Sequence, residues 1–92
     1  SKAGLNGLAR SLAREFASRS ITVNLIAPGP IETEMFEAVD DAMKEAIIGT
    51  VPMKKPGQVD DVAAAVSFLA SEDAGYITGA TIPVDGGLCM GT

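Results

Sequence analysis

The side chains able to move a proton in this 92-residue chain are few: four lysines, Lys2 among them, one tyrosine (Tyr76), one cysteine (Cys89) and the carboxylates. There is no histidine. Ser-His-Asp and Cys-His nucleophilic sites and His-ligated metal centres are therefore excluded within the chain, and no metal site is expected. Proton chemistry has to use lysine, tyrosine, carboxylates or residues elsewhere. Cys89 reads as a small apolar residue, with no basic neighbour in sequence to activate it. The other candidate is backbone. The apolar run Asn24-Leu25-Ile26-Ala27 stops at Pro28-Gly29-Pro30 and becomes the polar Ile31-Glu32-Thr33-Glu34. Such a corner is either a plain turn or a ledge for a ligand. In open α/β sheets, ligands bind beyond the carboxyl ends of the strands.

The elements that would position these residues follow from periodicity. Over residues 2 to 17, Leu5, Leu8, Ala9, Leu12, Ala13 and Phe16 form one helical face, with Arg10, Arg14 and Glu15 outside it. Residues 21 to 27 are β-branched and increasingly apolar, as in a strand covered on both faces of a parallel sheet. Residues 35 to 50 predict an amphipathic helix with Val39, Met43 and Ile47 in line, packing Met43 and Ile47 inward. Residues 58 to 71 predict another, with Val59, Val62, Ala63, Val66, Leu69 and Ala70 on its apolar face. Its first turn carries Asp60 and Asp61, which suit the positive end of a helix. A short strand at 80 to 84 precedes a turn at Asp85-Gly86-Gly87.

The order is α-β-lid-α-β, the C-terminal portion of a Rossmann-type doubly wound parallel sheet. Two parallel strands more than fifty residues apart do not make a self-sufficient sheet, so residues 1–92 read as part of one α/β domain. A chain this short buries only roughly 60–70% of its unfolded surface. Hydrophobic content of 47% and charged content of 21% are globular values. The net charge of −5, without a lysine or arginine cluster beyond Lys54-Lys55, argues against nucleic acid. No apolar run approaches the length that spans a membrane. One cysteine forms no internal disulfide and suits a reducing cytosol, so a cytoplasmic location is expected.

Several motifs in one order then carry a family resemblance: Ser1-Lys2-Ala3-Gly4, Leu12-Ala13-Arg14-Glu15, Ile21-Thr22-Val23-Asn24, Pro28-Gly29-Pro30-Ile31-Glu32-Thr33, Tyr76-Ile77-Thr78-Gly79 and Val84-Asp85-Gly86-Gly87. Together they resemble the C-terminal part of a short-chain dehydrogenase/reductase, most of all the beta-ketoacyl-acyl-carrier-protein reductase branch. The resemblance implies that Lys2 is the lysine of a Tyr-x-x-x-Lys signature whose tyrosine would lie three residues before Ser1. A phenol with a pKa near ~10 is a poor acid–base group at neutral pH, and an ammonium one helical turn away favours its phenolate. Tyr76 does not replace it, because Ala80 stands where that pair would need a lysine.

By the same resemblance, Lys2 also contacts a cofactor ribose, and Pro28, Gly29, Ile31 and Thr33 hold the nicotinamide. The Ile31 backbone meets the carboxamide, and the Thr33 hydroxyl contacts carboxamide or phosphate. Residues 34 to 50 occupy the place of a mobile substrate loop, where Met35 and Phe36 offer an apolar wall. The implied cofactor is NADP, with NAD as the alternative. The implied substrate is a small carbonyl or acyl compound, the implied role fatty acid biosynthesis, and the implied assembly a homotetramer. The glycine-rich half that binds the dinucleotide phosphates, with the catalytic serine and tyrosine, is expected to lie outside these residues. A non-enzymatic remnant that docks onto full-length subunits is the alternative reading.

Overall fold

The computed structural model describes residues 1–90. Helix α1 spans Lys2–Phe16, and the Ser1 hydroxyl caps it by accepting from the Gly4 N–H at 3.1 Å. A 3-10 turn over Ala17–Arg19 ends on Ser20, which takes a left-handed conformation (φ 59°). Strand β1 (Leu25–Pro28) follows, then α2 (Glu34–Glu37), α3 (Asp41–Gly49) and α4 (Val59–Leu69). A second 3-10 turn (Glu72–Ala74) leads to strand β2 (Thr81–Val84). The strands are parallel, with Leu25 opposite Thr81 and Pro28 opposite Val84. This is the expected α/β order, with the three helices α2 to α4 forming the crossover.

Three expectations need correction. The strand starts at Leu25, not residue 21; before it a backbone bond from the Gly79 N–H to the Val23 carbonyl at 2.8 Å is accompanied by side-chain bonds that interrupt a regular ladder. Asn24 donates through Nδ2 to the Ile77 carbonyl and accepts at Oδ1 from the Ala80 N–H, both at 3.0 Å. The Val23 N–H donates to Thr78 Oγ1 at 3.0 Å. Two of the motifs met separately in the sequence are thus bonded together. The helix expected over 35 to 50 is two helices, since Asp40 adopts extended backbone and its Oδ1 caps α3 through the Met43 N–H at 2.8 Å. Met43 is consequently exposed rather than packed inward, while Ile47 is half-buried. In α4 the residues turned inward are Val62, Ala65 and Leu69, and Val59, Ala63, Val66 and Ala70 are exposed.

The buried hydrophobic residues among those described are small: Ala9, Ala13, Val51 and Ala74. Leu5 and Leu8 on α1 and Val59, Val66 and Phe68 on α4 stay exposed. The radius of gyration is 15.4 Å, against about 12 Å for a compact domain of this length. An extended outline and a thin core have one cause: a parallel pair buries little until further layers cover both its faces. Among the described residues no helix is long and apolar enough to cross a membrane.

Candidate functional site

The Pro28-Gly29-Pro30 corner sits at the carboxyl ends of both strands. Gly29 continues the pairing beyond β1 by donating to the Val84 carbonyl at 3.0 Å. It lies directly against Asp85, where no side chain fits. Beyond it the chain is bonded to the segment that opens α4. Gly57 donates to the Pro30 carbonyl at 2.9 Å, and Glu32 donates to the Gly57 carbonyl at 2.8 Å. These two bonds make a parallel bridge between Ile31 and Gly57. A Cβ on Gly57 would stand 2.9 Å from Ile31 Cδ1, so any larger residue there would push the end of the Ile31 side chain aside.

That bridge has a chemical consequence. Backbone groups alternate sides along an extended chain, so a bridge that uses the Pro30 carbonyl and the Glu32 N–H turns the N–H and C=O of Ile31 to the other side. A donor and an acceptor a few ångströms apart match a primary amide, which presents the complementary pair. The ledge expected from the sequence is thus a short extended segment, fixed on one side and open on the other.

Thr33 follows at once. It is the N-cap of α2, with Oγ1 accepting from the Phe36 N–H at 3.4 Å. Its hydroxyl proton is still available to donate. Met35 is 83% exposed and Phe36 is half-buried, so the apolar wall expected here is open to solvent on the Met35 side. Pro28 is exposed at the end of β1. The structure thus brings Pro28, Gly29, Ile31 and Thr33 together on one continuous ledge. Lys2 lies in the first turn of α1, with an exposed side chain. Tyr76 is fully exposed and is not part of the ledge.

Two carboxylates behind the ledge are firmly placed. At Asp85 burial favours the neutral acid, but the Gly87 and Cys89 N–H groups, the Cys89 thiol and the Leu88 N–H outweigh it and hold the carboxyl below its ordinary range. The first two are hydrogen bonds of 2.9 and 3.0 Å, one to each carboxylate oxygen. At Glu32 the Gln58 amide, donating from Nε2 at 2.8 Å, is the main cause of a lowered pKa. Burial opposes this, and the charge of Lys44 lowers the pKa a little further. A cleft of about 450 Å³ opens beside the ledge, sharing Gly57 with it and lined also by Asp85 and Lys55.

Gly57, Gln58 and Asp85 are the site residues that sequence reasoning missed. Proline followed by glycine in Lys55-Pro56-Gly57, just ahead of a helix, is the signal the sequence offers for Gly57. No group of acidic or cysteine residues among those described could hold a metal ion.

Comparison with known proteins assigns the fold to a lineage. A family model described as Enoyl-(Acyl carrier protein) reductase matches residues 1–89. The chain is 52% identical over 89 residues to the 3-oxoacyl-[acyl-carrier-protein] reductase FabG of Pseudomonas aeruginosa, covering 97% of this chain and 36% of that protein. It is 52% identical over 91 residues to the 3-oxoacyl-[acyl-carrier-protein] reductase MabA of Mycobacterium tuberculosis, covering 99% and 37%. Identity to the acetoacetyl-CoA reductase of Allochromatium vinosum is 48% over 89 residues, covering 97% and 36%. The chain spans little more than a third of the length of these relatives. With the parallel pair, the ledge at its carboxyl end and these identities along nearly all of its length, the chain belongs to the short-chain dehydrogenase/reductase family.

Proposed function

We propose that these residues are the C-terminal part of a nicotinamide-dependent reductase of 3-oxoacyl thioesters, of the kind used in fatty acid biosynthesis. NADPH is the preferred cofactor. The observation that carries the reading is the donor–acceptor pair of Ile31, held open by the bridge to Gly57 at the carboxyl ends of parallel strands. The pair fits a nicotinamide carboxamide. The remaining dinucleotide contacts would come from the part of the protein outside residues 1–92.

Bound dihydronicotinamide supplies the hydride to the substrate carbonyl. The residues of this chain orient and hold protons. Ile31 fixes the carboxamide through its backbone, and the Thr33 hydroxyl donates to the same group. Lys2 would donate from Nζ to the ribose and favour the phenolate of a tyrosine one turn before it. That tyrosine is the group that passes a proton to the oxygen of the reduced carbonyl. The lid α2–α3 would close over the acyl chain with Met35 and Phe36 as its apolar side. The exposed apolar residues of α1 and α4 would be covered by the rest of the domain and by neighbouring subunits of a homotetramer in the cytoplasm.

The relatives reduce the C=O of 3-oxoacyl thioesters by name, whereas the family description names an enoyl reductase. The assay therefore offers the full-length protein an acetoacetyl thioester and a crotonyl thioester, each with NADPH, and follows the absorbance of the reduced cofactor. Oxidation with the first and not the second is the expected result. Consumption of the crotonyl thioester alone would make the protein an enoyl reductase. No turnover with either, from a protein whose intact mass matches this segment, would favour the docking remnant.

A further inference from the structure

We propose that Gln58 is a positioning residue for the nicotinamide ledge, setting through Glu32 where the ledge lies relative to α4 and where the lid departs. The proposal rests on the functional reading just given. Three hydrogen bonds join residues 30–32 to residues 57–58. Two are backbone bonds of the Ile31–Gly57 bridge and would survive most side-chain changes. The third, Gln58 Nε2 to Glu32 Oε2 at 2.8 Å, is written in side chains and links positions 26 apart.

Gln58 is anchored firmly enough to act as a reference point. It is the N-cap of α4; its N–H donates to Asp61 Oδ2 at 2.8 Å, and its carbonyl accepts from the Asp61 N–H at 2.9 Å. Helices favour Ser, Thr, Asp or Asn at this position, because the free N–H groups of the first turn need an acceptor close by. Gln58 and Asp61 form a capping box here, and the Gln58 side-chain amide also donates from Nε2 to Glu32, a bond that capping alone does not require.

Glu32, for its part, faces both sides. Its N–H completes the bridge that orients Ile31, and its carboxylate accepts from the Gln58 amide and feels the charge of Lys44 of α3. Lys44 in turn pairs with Glu37 at 3.2 Å. The Gln58 amide thus joins the helix that anchors the site to the segment that leads into the lid. Without it the backbone bridge persists, but the ledge gains freedom, and the Ile31 pair meets the carboxamide less often in the right orientation.

The test uses the full-length protein and steady-state kinetics in NADPH, with the thermal midpoint measured alongside. Gln58→Ala and Glu32→Ala are each expected to raise KM for NADPH about 3–10-fold, the range of one exposed hydrogen bond, with kcat within about twofold of wild type. The double variant is expected to be no worse than the poorer single one. Glu32→Gln, which still offers an oxygen to the Gln58 amide, is expected to keep KM near the wild-type value. An unchanged KM in Gln58→Ala overturns the proposal. So do additive effects in the double variant, or a KM that rises only in step with a falling thermal midpoint. A wild-type protein without NADPH-dependent turnover overturns the functional reading itself, and this inference with it.

Discussion

Gly29 and Asp85 touch so closely that a Cβ on the glycine would stand 2.7 Å from the Asp85 Cβ and 2.9 Å from its Cα. The close approach that a Pro-Gly-Pro corner suggests is therefore made first to the protein's own backbone. Gly29→Ala is expected to destabilise the fold by about 1–3 kcal/mol, the usual cost of forcing atoms into a filled space. Thermal or urea unfolding measures it. A variant as stable as wild type would mean that Asp85 moves aside freely. Because folding is affected, substitutions at 29 are a poor probe of cofactor affinity.

Lys2 is the better probe of mechanism. Lys2→Ala in the full-length protein is expected to lower kcat by ~10²-fold or more, the usual scale for a positioned acid–base group. If charge matters most, Lys2→Arg recovers part of the loss and keeps a pH–rate profile near the wild type. If the hydrogen bond to the ribose matters most, arginine fails much as alanine does, chiefly through a raised KM for the cofactor. Turnover and affinity that both survive Lys2→Ala remove the assignment.

The Asp85 carboxyl gives a pH prediction. Its pKa is lowered in the fold from an ordinary 3.8, despite burial, by the N–H groups and the thiol around it. A lowered folded value means a contribution that is fully present above the unfolded pKa and is lost as pH falls through the folded one. Wild-type stability should therefore decline as pH falls below about 4. Asp85→Asn should be less stable at neutral pH and show a flatter decline on the acid side. Thermal midpoints across that range decide; parallel acid limbs would show that the turn after β2 carries no such linkage.

Asn24 replaces part of a ladder with one side chain. Asn24→Leu leaves the Ile77 carbonyl and the Ala80 N–H without that partner in a part-buried place. The expected loss is about 1–3 kcal/mol. Hydrogen exchange at Ala80 is expected to accelerate in step, and slow exchange there in the variant would refute the bracing role.

Ser20 bears the opposite sign. It is a non-glycine residue with φ 59° at the end of a 3-10 turn. Ser20→Gly removes the left-handed strain at some cost in chain entropy, for a net gain of about 0.5 kcal/mol. A lower thermal midpoint in the variant would count against that balance.

The legibility of the molecule follows the range of its interactions. Helices α1 and α4 are local objects, and their apolar periodicity was enough to find them. The corner at 28–30 announced itself through proline and glycine. Asp40 split the lid because a short acceptor just ahead of the first turn outcompetes a weak apolar stripe, and that stripe was what the sequence reading followed. The early start expected for β1 came from β-branched residues, but there the Val23 N–H is met by the Thr78 hydroxyl and the Asn24 side chain reaches across to the backbone of Ile77 and Ala80. Gln58 and Asp85 reach the ledge from far along the chain, and contacts of that kind leave no local pattern.

Tyr76 stands fully in solvent, and it is the chain's only tyrosine in the absence of any tryptophan. Its ring therefore sees nearly the same surroundings whether the chain is folded or not, and its emission stays almost constant while the fold melts. Unfolding of this segment has to be followed by circular dichroism or hydrogen exchange. The blind spot has a use: a change in Tyr76 fluorescence under native conditions reports something settling onto residue 76, not a loss of structure beneath it.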